Sequence, residues 1–271
     1  MTDRGSVHRP ARRLTVAGGE ILDEIVAEEV AVALVYNGIS HAVMMATPAD
    51  LEDFARGFTL TERIVEKPSE IFDIEVEEGE RGIEVNLEIA APRMQSLQER
   101  RRSLAGRTGC GLCGVDSLEA AMRPVAVSVS GSRVARAAIE RAMTALPARQ
   151  RINKLNGATH AAGWADAEGS LIAVREDVGR HNALDKLAGA LALMDKNAPG
   201  SVAPGGFVVV TSRCSYEMVQ KAAAIGAAAI SAVSAPTSLA IETAERANIA
   251  LAAFVREGRL TAYAHAERIL P

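Results

Sequence analysis

Cys110 and Cys113 stand two residues apart in Thr108-Gly109-Cys110-Gly111-Leu112-Cys113-Gly114, interleaved with three glycines. Glycine has no Cβ, so the backbone there reaches conformations closed to other residues and lets a large partner approach the sulfurs. A thiol attacks as the thiolate, and its usefulness depends on a lowered pKa, which neighbouring cations or a helix N-terminus supply. Arg100, Arg101 and Arg102 precede the pair, and Asp116-Ser117-Leu118-Glu119 reads as a helix start that sets Cys113 just before a positive dipole end. Such a pair suits sulfur exchange, one cysteine carrying a persulfide while the other resolves or protects it.

A bare C-x-x-C fits other chemistry as well. Structural zinc wants four ligands, which Cys214 and one of the five histidines would have to complete. A thioredoxin-like redox pair belongs at a helix start after a strand, whereas an arginine-rich segment comes first here. An inert buried pair is at odds with the glycines. A zinc nucleobase deaminase carries H-x-E followed later by P-C-x-x-C. His265-Ala266-Glu267 supplies H-x-E, but after the cysteines, and Thr108-Gly109 stands where proline is expected. His265 and Glu267 are therefore read as ordinary residues near the C-terminus.

Three other segments gather polar groups at strand ends. Arg175-Glu176-Asp177-Val178-Gly179-Arg180-His181-Asn182-Ala183-Leu184-Asp185-Lys186 packs seven ionisable residues around one glycine at a strand-to-helix junction, where Arg180 and His181 could meet an anion. Its bland reading is a solvated helix start with Asn182 as cap and Asp185 as a first-turn acid. Thr211-Ser212-Arg213 follows Val208-Val209-Val210 and precedes a helix, so hydroxyls, a guanidinium and backbone N–H groups would converge on a phosphate. Phe254-Val255-Arg256-Glu257-Gly258-Arg259 offers an aromatic face for a planar base and two cations for phosphates, or, more blandly, an apolar strand end with a charged turn.

The elements that must position these groups are legible in outline. The 271 residues are 48% apolar but only 3% aromatic, which favours helices layered on a buried sheet, and the length favours two lobes. Two apolar runs between Val30 and Met45 flank Asn37-Gly38, a hairpin turn signal. Thr47-Pro48 reads as a helix cap and first position, with the helix running to about Val65. Ile71 to Val76 and Ile83 to Ile89 read as two half-buried strands, completing a smaller α+β N-terminal lobe over 14–105 after a loose tail at 1–13. The cysteine loop spans 106–115. Over 116–271, β-branched runs (Ser170 to Arg175, Phe207 to Thr211, Ile230 to Val233, Leu251 to Val255) alternate with helical patterns (Asn182 to Met194, Tyr216 to Ile225, Ser238 to Ala247). That alternation predicts a three-layer α/β domain on a largely parallel sheet.

The net charge of −4 argues against bulk nucleic-acid binding, and three cysteines are too few for a secreted disulfide scaffold, which points to the reducing cytoplasm. The polar, Arg-rich N-terminus does not read as a secretory signal, and no apolar run reaches membrane-spanning length.

Taken in order, Val35-Tyr36-Asn37-Gly38 with Met44-Met45-Ala46-Thr47-Pro48, the Thr108-to-Gly114 loop, Glu176 to Lys186, Thr211 to Lys221 and Phe254 to Arg259 resemble the formate dehydrogenase accessory sulfurtransferase (FdhD) family over nearly the whole chain after about Leu14. The resemblance implies a sulfurtransferase that receives persulfide sulfur from a cysteine desulfurase. It would pass that sulfur to the molybdenum cofactor, a bis(molybdopterin guanine dinucleotide), before the cofactor enters formate dehydrogenase. It also implies a cytidine-deaminase-like second domain without the zinc site, which accounts for the broken deaminase signature. By the same resemblance Cys110 is the persulfide cysteine and Cys113 its support, with no metal of the protein's own, and the cofactor segment falls on Phe254, Val255, Arg256, Glu257, Gly258 and Arg259. Thr211, Ser212, Arg213, Arg180 and His181 are added as pocket walls from their strand-end placement. Cys214 departs from the family pattern and is expected to be a small buried or pocket-lining residue. Family precedent and the Ala-rich helical surfaces suggest a homodimer. Two other readings stay open: a zinc-binding or redox module, and a chaperone that holds the cofactor without transferring sulfur.

Overall fold

The structure is a computed structural model that describes residues 4–105, 132–194, 205–256 and 258–271. The cysteine loop with Cys110 and Cys113, the expected helix start at Asp116 and Glu257 lie outside the described residues.

Strands β3 (Val30–Tyr36) and β4 (Ile39–Ala46) form the expected hairpin. Asn37 and Gly38 both take positive φ, 47° and 78°, as the twist-matched two-residue turn requires. The Asn37 side chain is bound at both ends to Ile89, accepting its N–H at 2.9 Å and donating to its carbonyl at 3.1 Å. Ile89 ends β6 (Gly82–Ile89), which runs parallel to β3 and antiparallel to β5 (Ile71–Gly79), so the sheet reads β4-β3-β6-β5. Strict alternation puts Val32, Leu34, Tyr36, Val85 and Leu87 on one face, where α1 (Leu51–Thr61) and α2 (Ala91–Ala105) cover them.

The short β7 (Val134–Ala135) pairs with β14 (Ile269–Leu270), and the second sheet has six strands in the order β13-β12-β11-β10-β8-β9, with β8 (His160–Ala165), β9 (Leu171–Asp177), β10 (Phe207–Val210), β11 (Ala229–Ala232), β12 (Ala250–Arg256) and β13 (Arg259–Ala264). Helices α5 (Arg180–Ala192), α6 (Tyr216–Ala224) and α7 (Ser238–Ala247) pack on one face through Leu184, Met218 and Ala244. Helix α3 (Arg136–Arg149), followed by the short α4 (Arg151–Asn156), packs on the other through Ile139 and Leu146. Helices therefore lie on both faces, as the alternation predicts. The sheet, however, is mixed: only β10–β11 and β11–β12 pair in parallel, while β8 and β13 run against their neighbours. Those two strands escape sequence reading because His160-Ala-Ala-Gly-Trp-Ala165 has no β-branched residue and Arg259 to Ala264 has one.

Two further expectations need correction. Within the expected tail at 1–13, residues 6–13 are not loose but belong to β1 (Ser6–Thr15), paired over ten residues with β2 (Gly18–Ala27) in a ribbon whose outer part is exposed. With so little of it buried, the ribbon lacks the alternating apolar signal that marks a strand. Thr47 does not cap α1; the cap position is Asp50, and Thr47 is fully buried elsewhere. Among the described residues no helix is long and apolar enough to cross a membrane.

Candidate functional site

Strand β9 runs parallel to β10, β11 and β12, so the carboxyl ends of all four open on one edge of the six-stranded sheet. Such an edge is where open α/β sheets take ligands, because successive loops feed helix N-termini there. Helix α5 begins there at Arg180 after Gly179, with no side-chain cap and no acid in its first turn. Helix α6 follows Ser215, and α7 follows Thr237, whose side chain accepts from the Ala240 N–H at 3.2 Å.

Direct contacts join these loops into a continuous rim. The His181 Nε2 lies 3.3 Å from the Ser215 hydroxyl and 2.9 Å from the Glu217 carboxylate, tying the β9 loop to the start of α6. The hydrogen bond from His181 holds the Glu217 carboxyl below its ordinary pKa. Cys214 donates its N–H to the Ala235 carbonyl at 3.1 Å and accepts from the Thr237 N–H at 3.0 Å, tying the β10 loop to the β11 loop. The Phe254 N–H reaches the Ser234 carbonyl at 3.4 Å, which extends the rim to β12.

The rim is long rather than a single pocket. Four strand spacings of about 4.8 Å separate β9 from β12, so His181 and Phe254 stand at opposite ends of some ~19 Å of surface. At the first end the buried Arg180 Nε has no hydrogen-bond partner among the described residues. Burial, aided by the charge of Arg180, keeps the His160 imidazole below its usual pKa and so neutral near pH 7. In the middle, Arg213 is exposed, whereas the Thr211 hydroxyl accepts from the Ala161 N–H at 2.9 Å and the buried Ser212 hydroxyl donates to the Arg213 carbonyl. Of that trio only Arg213 presents its side chain outward. At the far end a register irregularity sets Phe254 at φ 53°, a strained conformation for a bulky residue, and puts it on the same face as its neighbour Ala253. Phe254 is half-buried on the α5–α7 side, and Val255 is buried against the α3 side, so Val255 has only its backbone left for a ligand. Arg256 and Arg259 are exposed and stand directly opposite each other across the β12–β13 turn, where Gly258 takes φ 70°.

The remaining ionisable groups of the Glu176-to-Lys186 segment are not solvated; they build a junction between the two sheets. Each oxygen of Asp177 has two donors: Oδ1 accepts from the Gly179 N–H at 2.7 Å and Asn182 Nδ2 at 3.1 Å, and Oδ2 from the Thr47 N–H at 3.0 Å and Lys186 Nζ at 2.7 Å. Lys186, with no exposed surface, also donates to the Thr47 carbonyl at 2.9 Å. Glu176 accepts from the Ile152 and Asn153 N–H groups and so caps α4. Asp185 accepts from Lys221 at 2.8 Å and Thr61 at 2.6 Å, and Lys221 also reaches Glu62 at 3.0 Å. Burial alone would lower the Lys221 pKa; Asp185 and Glu62 outweigh it and leave it raised. Arg175 donates twice to Asp53 on α1. Gly57 and Gly189 let α1 and α5 touch backbone to backbone: a Cβ at Gly57 would lie 1.7 Å from the Asp185 carbonyl oxygen, and one at Gly189 1.9 Å from that of Asp53.

The pattern of the FdhD/NarQ family matches residues 27–270, which is most of the chain. The chain belongs to that family. It is similar to the sulfur carrier protein FdhD of Cupriavidus necator, 58% identical over 254 residues that cover 93% of this chain and 86% of that one. It is also similar to the sulfur carrier protein FdhD of Bordetella petrii, 50% identical over 255 residues covering 94% and 90%. A crystal structure described as that of a formate dehydrogenase accessory protein from Desulfotalea psychrophila shares the fold, with a TM-score of 0.74 at 24% identity over 98% of this chain and all of that one.

Within this FdhD/NarQ chain, Cys214 is fully buried and its thiol is pushed up to about 12 by that burial, so it stays protonated and unreactive. The deaminase-like His265 and Glu267 contact each other at 3.3 Å near the C-terminus. Among the described residues no group of three or more His, Cys, Asp or Glu is placed to hold a metal ion. Sequence reasoning missed the junction roles of Thr47, Gly57, Lys221 and Gly189 because their partners are far away in the chain; the helical spacing of Asn182, Asp185, Lys186 and Gly189 along one face of α5 was the available signal.

Proposed function

We propose that the protein is a sulfur carrier with sulfurtransferase activity that serves formate dehydrogenase, and that its cargo site is the rim. A cysteine desulfurase presents a persulfide, and the Cys110 thiolate attacks its outer sulfur: the new S–S bond forms at Cys110, the old one breaks, and the desulfurase thiolate leaves. Cys113 stands in support. The substrate is the molybdenum cofactor in its bis(molybdopterin guanine dinucleotide) form, to whose molybdenum the sulfur is delivered.

The observation that carries this reading is the rim itself. A ligand with two nucleotide ends and several phosphates is long and multiply anionic, and the rim is long, with cationic groups at both ends. Arg180, whose buried Nε has no partner among the described residues, and the start of α5, which lacks a side-chain cap there, suit one anionic group. Arg256 and Arg259 suit another, with Phe254 beside them for a planar base. Arg213 lies between. Holding the cargo along the rim would fix the metal relative to the delivered sulfur and convert an encounter into an intramolecular approach.

The helices on both faces of the mixed sheet support a cytidine-deaminase-like layering of this half, put to use without a resident metal. We place the protein in the cytoplasm as a homodimer. The test is mass spectrometry after incubation with desulfurase and cysteine, paired with titration of a guanine nucleotide. Wild type should gain sulfur at Cys110 and bind the nucleotide through the β12–β13 turn. Full loading and dehydrogenase activation by Cys110→Ala would contradict the reading. One stoichiometric zinc atom in the purified protein would instead favour the metal-binding alternative. Dispensable cysteines with indispensable Phe254 and Arg259 would favour the chaperone.

A further inference from the structure

The four-stranded sheet buries one face under α1 and α2, and its other face is open among the described residues. Register makes that face easy to read. One row across the four strands is Val43, Ala33, Glu84 and Glu77, so the β4–β3 half is apolar and the β6–β5 half acidic. Val43 is 63% exposed, and Met45, two residues on, is 52% exposed. Across β5–β6, Glu77 stands directly opposite Glu84 and Asp73 directly opposite Glu88, all four exposed. Like charges in directly opposed positions destabilise an antiparallel pair, and a solvated sheet face has no need of them. An open hollow of about 500 Å³ lies over Ala33, Val43, Glu77 and Glu84. A neighbouring cleft of about 680 Å³ separates the sheet, at Ala31, Met45 and Gly82, from the ribbon root at Arg4 and Glu28.

From these features we infer that the open face is a docking surface for a protein that presents lysines and arginines around an apolar patch. The apolar strip supplies area to bury, and a basic partner relieves the opposed carboxylate pairs and is steered to them. Position selects the occupant. The Met45 carbonyl accepts from Asn182 Nδ2 at 2.9 Å, so the face runs up to the first turn of α5, where the rim begins. A protein seated there would lie beside the cargo. Resting on the sulfur-carrier reading, the inference commits to the acceptor, the dehydrogenase apoenzyme, rather than the sulfur donor.

The experiment uses the full chain and the Glu77→Lys/Glu84→Lys variant, whose changed side chains are exposed and leave the core alone. Binding of each to the formate dehydrogenase apoenzyme from the same organism is measured by biolayer interferometry at two salt concentrations, with the desulfurase in a second arm and sedimentation for self-association. Wild-type binding to the apoenzyme should weaken with salt. The variant should bind about tenfold more weakly or worse, while its melting temperature, guanine nucleotide binding and Cys110 loading stay as in wild type. Equal apoenzyme binding by the two chains, or none by either, overturns the inference. So does a loss confined to the desulfurase, which makes the face a donor site, or a change only in self-association, which makes it a contact between copies. Cys110 loading from a small-molecule persulfide separates this result from the sulfur-carrier reading: that reading fails if wild type takes up no sulfur, whatever the apoenzyme binds.

Discussion

The junction between the two sheets and the rim at the edge of one of them use the same residue types to opposite ends. In the junction every charge has an answer: Asp177 receives four donors, Lys186 and Lys221 face carboxylates, and two glycines bring helix backbones into contact. On the rim Arg213, Arg256 and Arg259 stand exposed, two of them facing each other. Both regions draw on one short segment, Glu176 to Lys186, whose acids turn toward the junction while Arg180 and His181 stay at the edge. Buried charge that is fully paired fixes a geometry, whereas exposed charge stays within reach of solvent and of whatever binds there. The contrast implies that damage to the junction should read out as lost fold and damage to the rim as lost binding.

The sharpest break is at the helix crossing. Gly189→Ala puts a Cβ into the backbone of α1, where no rotamer can relieve it, so stability should fall by more than about 3 kcal/mol or folding should fail. Urea denaturation of the purified variant measures this. Next comes Lys186→Met, which keeps volume but strands Asp177 as a buried charge; the same denaturation should show a loss of about 3–5 kcal/mol. If this variant melts like wild type, the junction is not held by its charges. The rim variant Arg256→Ala/Arg259→Ala should do the converse, leaving stability within about 0.5 kcal/mol and weakening GDP binding in a calorimetric titration by roughly tenfold or more. Equal losses of binding and stability would erase the distinction between the regions.

Two smaller effects sharpen the comparison. Cys214 sits in a rim loop but is buried like a junction residue, with its thiol near pKa 12, so alkylation of native protein at pH 8 should label Cys110 and Cys113 and spare Cys214 until urea is added. The smallest effect belongs to Glu217. Its folded-state pKa is lowered by the His181 hydrogen bond, so the stability it adds is present above its unfolded value of about 4.3 and is lost as pH falls through the folded value. Its 43% exposure screens the interaction. Melting curves of wild type and Glu217→Gln should therefore differ slightly at pH 6 and draw together as the pH falls through the folded-state value.

Much of this was legible in the sequence where the signal is local. Asn37-Gly38 announces its hairpin because positive φ at two successive residues is nearly a signature, and Ser238 to Ala247 shows its helix through periodicity. The strand ends that form the rim were likewise visible, since β-branched runs stop at polar, helix-starting residues. Non-local features were not visible. Thr47 looks like a helix cap until Asp177, 130 residues away, takes its N–H. Gly57 and Gly189 look like ordinary breaks in helical patterns until each is found against the other helix's backbone. Strands β8 and β13 have compositions that do not distinguish a strand, and only pairing with β10 and β12 makes them one.

The central claim is that Cys110 carries sulfur to a cargo held on the rim. Intact-protein and peptide mass spectrometry after incubation with desulfurase and cysteine tests it most directly. One added sulfur mapped to Cys110 is expected, lost in Cys110→Ala and retained in Arg256→Ala/Arg259→Ala, since the proposed loading step uses the Cys110 thiolate and not the rim arginines. Sulfur on the Cys110→Ala chain at the wild-type level, together with undiminished dehydrogenase activation, would contradict the account.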